Sequence, residues 1–287
     1  MTNINPGAPK QQFDWQNPNQ ATFDFGRVLG RSFTGVFANL KPLAIAVVIS
    51  LIVTLSLNVI ASEQLLKTFG DGSTEDITAA VSGADYWIWT LVASGPAFLF
   101  ALWVQLVVVQ TSHAKFTKSP LQSAPLIAGL RLLLPMFVIA VIYSVVSIIG
   151  FYALVIGFVF VWPGWALAGP ILVHEKKGIF GSIGEAWNLS RGSKRWILLL
   201  LFLLMLISGV IYFIMVVISA VITNVNMFSG DPTAALDIST GQQIINGLIV
   251  GIPGYFVYAL FAAGLTAAYV EIKTMNGGVE TVGDVFT

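Results

Sequence analysis

Cysteine is absent from this chain of 287 residues. That excludes disulfides, thiol catalysis and any metal site built on thiolates. Charge is scarce as well. Asp, Glu, Lys and Arg make up 10% of the residues, against about 25% in an ordinary soluble protein. No sign of charge is in excess, with 14 Lys+Arg facing 14 Asp+Glu. What is abundant is apolar: 56% hydrophobic residues and a mean hydropathy of +0.83. A soluble domain of this composition would expose too much apolar surface. A disordered chain needs low hydrophobicity and high charge, and a nucleic-acid-binding domain carries a basic excess. The composition is that of an integral membrane protein with little soluble mass and no nucleic-acid partner.

A helix needs about 20 apolar residues to cross about 30 Å of hydrocarbon. Leu43–Ser62 has that length, and Tyr86–Val109, Ile197–Ile222 and Ile244–Val270 are long enough to tilt. Between Arg131 and His174 lie 42 residues without Asp, Glu, Lys, Arg or His. They are too many for one span and suit two joined by a tight turn. The expected fold is therefore all-α and polytopic. Six transmembrane helices fall at about 43–62, 86–109, 132–150, 153–174, 197–222 and 244–270. Strands are not expected, because the runs show no alternation of period two and a sheet in lipid must close into a barrel. Met1–Gln20 is polar and lacks the basic and apolar regions of a cleavable signal. Residues 1–21 read as a disordered cytoplasmic arm, the first span as an uncleaved anchor, 22–273 as the membrane domain and 274–287 as a short cytoplasmic tail.

Charge sets the expected orientation. The connectors Glu63–Asp85 and Thr223–Gln243 hold one base and seven acids, and the remainder holds 13 bases and seven acids. The basic remainder, with both termini, is assigned to the cytoplasmic side.

The spans also suggest three consecutive hairpins. Spans two, four and six carry Pro96-Ala97-Phe98, Pro163-Gly164-Trp165 and Pro253-Gly254-Tyr255. Small-residue stripes accompany them: Ala93, Ala97 and Ala101; Gly164 and Ala168; Ala259, Ala263 and Ala267. Such stripes let helix backbones approach closely in lipid. Each odd span follows a base near Pro or Trp, at Lys41-Pro42, at Arg131 with Pro135, and at Arg195-Trp196. This reads as an internal repeat of a short cytoplasmic interfacial segment and a helical hairpin. By analogy with Pro96 and Pro253, Pro163 is placed inside span four and the turn near Gly150–Tyr152. The rival reading runs the third helix on to Val161 and leaves a stub after it.

Two interfacial helices are expected. Over 22–41, Phe25, Leu29, Phe33, Val36 and Leu40 form an apolar face, with Arg27 and Arg31 about 200° from Leu29. Over 182–192, Ser182-x-x-Glu185 has capping-box spacing, and Phe180, Ile183 and Trp187 share one face. Gly192-Ser193 then breaks the helix, and Trp196 suits the aromatic belt. Arg27, Arg31, Lys41, Lys176, Lys177, Arg191, Lys194 and Arg195 are candidate contacts to an anionic inner leaflet, at about 1 kcal/mol per base, or to a partner's acidic segment. The plainer reading of the same bases is topology signal and headgroup anchor.

The run Trp165-Ala166-Leu167-Ala168-Gly169-Pro170-Ile171-Leu172-Val173-His174-Glu175, then Gly181-Ser182-Ile183-Gly184-Glu185-Ala186-Trp187-Asn188-Leu189-Ser190-Arg191-Gly192, resembles the membrane domain found in some bacterial glycerophosphoryl diester phosphodiesterases and in related uncharacterised six-span inner-membrane proteins. The opening Phe25-Gly26-Arg27-Val28-Leu29 is similar too. The resemblance implies a bacterial inner-membrane protein. The phosphodiesterase chemistry of that family belongs to a separate soluble barrel with paired carboxylates and a metal, for which this chain has no room.

Chemistry is sparse. His113 and His174 are the only histidines. His174-Glu175 has no second His at zincin spacing, so the pair reads as structural, with Glu175 on Lys176, Lys177 or a base of the next segment. No Asp, Glu, Lys or Arg falls inside a span away from its ends, which argues against proton relays and ion paths. No nucleophile–base pair and no phosphate loop appear, and no catalytic residue, cofactor or metal site is assigned. The expected function is a non-catalytic scaffold or accessory subunit in the bacterial envelope, with a membrane-protein partner or a second copy of itself. The first alternative is a carrier or flippase for a lipid or small neutral solute, which needs a polar-lined cavity at mid-bilayer. The second, an enzyme on lipid headgroups, needs acids and histidines converging at the cytoplasmic face.

Overall fold

A computed structural model of the chain describes residues 23–37, 40–69, 82–121, 124–153, 161–223 and 239–275. All eight labelled elements are helices: α1 Phe25–Phe37, α2 Leu40–Phe69, α3 Ala84–Phe116, α4 Pro125–Ala153, α5 Ala168–Glu175, α6 Gly178–Leu189, α7 Lys194–Thr223 and α8 Thr240–Met275. Among the described residues there is no strand. Five helices, α2, α3, α4, α7 and α8, are long and apolar enough to cross a membrane. The expected arm 1–21, the tail beyond Met275 and most of both acidic connectors lie outside the described residues.

The long helices outlast the bilayer. At 1.5 Å per residue, the 36 residues of α8 span about 54 Å against about 30 Å of hydrocarbon. A stretch of core length centred on α8 covers about ten residues on each side of its middle and leaves Glu271 and Lys273 outside it. Outward faces remain apolar: Leu134 is 72% exposed and Phe213 70%. In water such faces would not persist; in lipid they need no cover. Several hydroxyls within the spans return to their own helix. Ser50 donates to the Ala46 carbonyl at 2.6 Å, Thr54 to Ser50 at 2.7 Å, and Ser208 to Leu204 at 2.7 Å. Each is thereby satisfied without water.

Helices α3 and α8 form the centre. Helix α2 packs along α3, α7 along α8, and α4 against α3. Helix α8 continues through Pro253, and Ala259, Ala263 and Ala267 are fully buried. In α3, Ala101 is buried while Ala93 and Ala97 are half-buried.

Three expectations are corrected. The first concerns α1, which begins at Phe25 and ends at Phe37. Its buried line is Val28, Ser32, Gly35 and Val36, about one position round from the predicted face. Val36 of the predicted face belongs to that line, and Phe25, Leu29 and Phe33 pack against the core partly buried; Leu40 belongs to α2, 53% exposed. The reason is close packing. A Cβ on Gly35 would stand 3.1 Å from the Ala263 Cβ and 2.9 Å from Phe116. The small residues therefore face the bundle and the large ones flank them.

The second correction is the turn at Gly150–Tyr152. Helix α4 runs through it to Ala153. The next described stretch is helical over 161–165, turns at 166–167, and resumes as α5. Pro163 therefore lies in a helical stretch that ends at Trp165, and the span expected to run unbroken over 153–174 is interrupted at 166–167.

The third is the cap at Ser182. Helix α6 begins four residues earlier, at Gly178, and the Ser182 hydroxyl donates to the Gly178 carbonyl at 2.6 Å. Its buried residues are Ser182, Ala186 and Leu189, and Phe180 is 80% exposed. The break at Gly192 is present, with φ at +86°, and α7 starts at Lys194.

Candidate functional site

The C-terminal end of α8 gathers charge from four elements. Glu271, with its side chain only 4% exposed, meets Arg27 Nη1 at 3.4 Å and Arg31 Nη1 at 3.3 Å. It also accepts from the Asp24 amide at 3.4 Å. Asp24 caps the start of α1 by accepting from the Arg27 amide at 2.9 Å. That bond and the Arg27 guanidinium hold its carboxyl below the usual carboxylate range. Phe23 stacks on Trp196 with centroids 6.1 Å apart, which fastens the same segment to α7.

On the other flank, Glu175 at the end of α5 lies 2.7 Å from Lys273 Nζ and 2.8 Å from Lys177 Nζ. It accepts from the Tyr269 hydroxyl at 3.0 Å. Lys177 reaches Glu185 of α6 as well, at 3.1 Å. Burial acts to raise the Glu175 pKa, but hydrogen bonds from Lys177 and Lys273 outweigh it and hold the carboxyl low. The same bond to Glu175 holds the Lys177 ammonium above its ordinary value, against desolvation. The expected pairing of Glu175 with Lys177 is present, and Lys273 is an additional partner that sequence spacing did not indicate.

The two histidines, 61 positions apart in sequence, come together here. The His113 and His174 rings stack with centroids 3.6 Å apart and planes 19° from parallel. Tyr269 lies 6.1 Å from the first and 6.2 Å from the second. Beside them, between α3, α4 and α5, is a cavity of about 390 Å³. Among the described residues no group of three or more His, Cys, Asp or Glu side chains could hold a metal ion.

A second and larger space, about 680 Å³, opens between α2, α3, α7 and α8. Thr54, Asn58 and Ser62 contribute from α2 at a step of four residues, which keeps them on one face. Gln243 and Asn246 oppose them from α8, with Tyr212, Tyr255 and Tyr258 deeper in. Ser62 donates to Gln243 at 2.9 Å, and Ser219 to Asn246. No ionisable acid or base lines this groove among the described residues. It reaches the middle of α8 at Tyr255 and Tyr258. The next turn of that helix closes the space, because Ala259, Leu260 and Ala263 are fully buried. Gly247 and Gly251 let α8 approach α2, since a Cβ on either would strike Leu55 or Leu51.

Of the eight bases assigned to lipid or partner contact, five are engaged within the chain. Arg27, Arg31 and Lys177 are ion-paired. Lys194 sits 3.3 Å over the Trp187 ring and Arg195 5.3 Å from that of Trp196. Trp187 in turn lies over Gly164, where a Cβ would approach it to 2.5 Å. Lys41, Lys176 and Arg191 are exposed. The carrier alternative called for a polar-lined cavity without placing it; the signal for its place was the polar step of four on α2 and the glycine step of four on α8.

No protein family, curated protein or solved structure matches this chain.

Proposed function

We propose that this chain is a carrier for a neutral amphiphile, a lipid or small solute whose uncharged polar head enters the groove between α2, α3, α7 and α8. The observation that carries the reading is a space lined by hydroxyls, amides and tyrosines at mid-helix, free of charge, in a membrane protein. Polar side chains in hydrocarbon without a function are disfavoured, and concave sites with a few convergent polar groups are the usual form of ligand pockets. The groove is closed toward the charged end, which suits a state open to one side only. In this reading the residues before α5 complete a sixth span in three hairpins, and both termini face the cytoplasm of a bacterium. The resemblance at Trp165–Gly192 supports the inner membrane as the location.

The test is movement of a fluorescent glucosyl lipid in proteoliposomes, read by quenching from one leaflet. Wild-type protein accelerates it, and the double substitution Asn58→Leu with Tyr258→Leu returns it to background. Background rates for the wild type, with no neutral species retained in its native mass spectrum, would refute the carrier. The chain lacks cysteine, so Ser73→Cys reports orientation directly. Labelling of that site only from the cytoplasmic side would reverse the assigned topology.

A second reading, a non-catalytic scaffold, draws on the closed end, where α1 and α5 are fixed on α8 by paired charges. It predicts that a partner chain co-purifies and that the groove substitutions change nothing.

A further inference from the structure

The cavity between α3, α4 and α5 has a different character from the groove. Its polar lining is Gln110, His113, Ser119, Arg131, His174 and Lys176, with no carboxylate among the described residues. The nearest acid along the chain, Glu175, is turned away and taken up by Lys177, Lys273 and Tyr269. Lys176 and Arg131 make no ion pair with a described residue, whereas Lys177 and Lys273 do. Lys176 is held at the end of α5 in a left-handed conformation, φ +51°, which separates its direction from that of Glu175. Two buried nitrogens at this place, Gln110 Nε2 and His174 Nε2, have no hydrogen-bond partner. A buried donor left unmade costs about 1–3 kcal/mol, so the Gln110 N–H asks for an acceptor; the His174 ring is already bonded to the Val109 backbone through its other nitrogen.

Two cations without a counter-charge and an unsatisfied buried amide N–H around one cavity share one complement: a compact anion rich in acceptor oxygens. We propose that this cavity binds a phosphate group, with Arg131 and Lys176 supplying charge and the buried Gln110 amide supplying the inner hydrogen bond. Arginine's planar fork matches two phosphate oxygens at once. The setting favours a phosphate carried on a lipid. Arg131 projects from a face of α4 whose neighbours Ile127, Leu130 and Leu134 are 56%, 52% and 72% exposed, so acyl chains would lie beside it. A soluble phosphate shares the same chemistry, and the experiment separates the two.

The full chain is placed in nanodiscs of phosphatidylcholine, with or without one-fifth phosphatidylglycerol, and compared with Arg131→Gln/Lys176→Gln and with Ala128→Leu, which fills the cavity without altering charge. Lys115→Gln/Lys118→Gln, on the same end of α3, removes the same charge elsewhere. Native mass spectra are expected to show phosphatidylglycerol retained at least about tenfold less by the first two variants and unchanged by the third. Inorganic phosphate is titrated into the phosphatidylcholine discs as a separate arm, read by thermal shift. Protection by phosphate that the first two variants lose, without selective retention of phosphatidylglycerol, assigns the site to a soluble anion and keeps the phosphate chemistry. Equal loss of retention in all three variants shows only diffuse attraction to a basic face and overturns the proposal. So does the absence of both retention and protection.

Discussion

Docking of α1 into the bundle, against lying free at the headgroup boundary, can be decided at one glycine. A Cβ at Gly35 would meet Phe116 at 2.9 Å, the Ser112 hydroxyl at 3.0 Å and the Ala263 Cβ at 3.1 Å. The phenyl tip can swing away, but the Ala263 Cβ is fixed to the α8 backbone and cannot. A Gly35→Val change therefore pushes α1 off α8, at the overpacking cost of about 1–3 kcal/mol. Helix propensity favours Val over Gly by only about 0.3 kcal/mol, too little to offset this. Lifting the helix also loosens Val28 and Val36, now 0% and 2% exposed. Gly30 is the control on the same helix, because nothing lies within 4 Å of its Cβ position. Gly30→Ala should stabilise by about 0.5–1 kcal/mol through the unfolded state. Hydrogen exchange read by mass spectrometry on the 25–37 peptide is the assay. Gly35→Val should accelerate exchange there about fivefold or more, and Gly30→Ala should not. Equal protection in both variants and the wild type would show that α1 rests on lipid, as its amphipathic pattern alone suggests, and the packing argument would fail.

Replacing Glu271 by Leu leaves Arg31 and Arg27 facing each other without their shared carboxylate. Breaking a buried pair costs about 3–5 kcal/mol, but these arginine side chains are 30% and 51% exposed. Solvent reduces the loss to about 1–2 kcal/mol, measurable as a lowered midpoint in detergent unfolding; an unchanged midpoint would place the pair's net worth near zero. Glu175 predicts acid sensitivity. Its folded pKa lies below the ordinary 4.5, so the unfolded chain takes the proton first as pH falls. Its contribution is whole above about 4.5 and is lost as pH drops through the folded value. The wild-type melting temperature should fall by a few degrees across that window, and Glu175→Gln should fall less. Parallel curves would remove Glu175 as the source.

Hydropathy made the long helices legible because burial in lipid is decided by composition over about 20 residues, and α2, α3, α7 and α8 stand where the uncharged runs stand. What composition does not encode is which face meets a neighbour. In α1 the moment pointed to Phe25, Leu29 and Phe33, yet Ser32 and Gly35 occupy the interface, since lipid-embedded contacts select small residues over large ones. The fourth run was unreadable for a related reason. An apolar stretch that bends at Ala166-Leu167 has the same hydropathy as one that does not. The histidine stack and the Glu175–Lys273 pair depend on helices distant in sequence, and no spacing rule reaches them. The groove was within reach, since Thr54, Asn58 and Ser62 share a face, but serine and threonine in a span are more often satisfied by their own helix, as Thr54 is.

The polarity of the two ends bears on how a carrier of this shape would work. A closed seam must part for cargo to pass beyond Tyr255, and at the charged end that seam is α1 against α8. The ion pairs there sit in partly wet surroundings and are individually weak. The contact of Gly35 and Ser32 with Ala263 and Gly264 is dispersion at close range, forfeited in full once a gap opens. Helix α1 is thus the removable piece. A cross-link can hold it in place: a Cβ on Gly264 would stand 3.6 Å from that of Ser32, within the 3.5–4.5 Å of a disulfide. The Leu204 methyl, 2.9 Å away, is a side-chain end that can move. Ser32→Cys with Gly264→Cys, in a chain otherwise free of cysteine, should form that bond under mild oxidation. The oxidised protein should keep a neutral amphiphile in the groove yet move the glucosyl lipid at background rate, and reduction should restore movement. Undiminished movement in fully oxidised protein would show that cargo does not pass beneath α1, and the gate would have to be sought between α2 and α8.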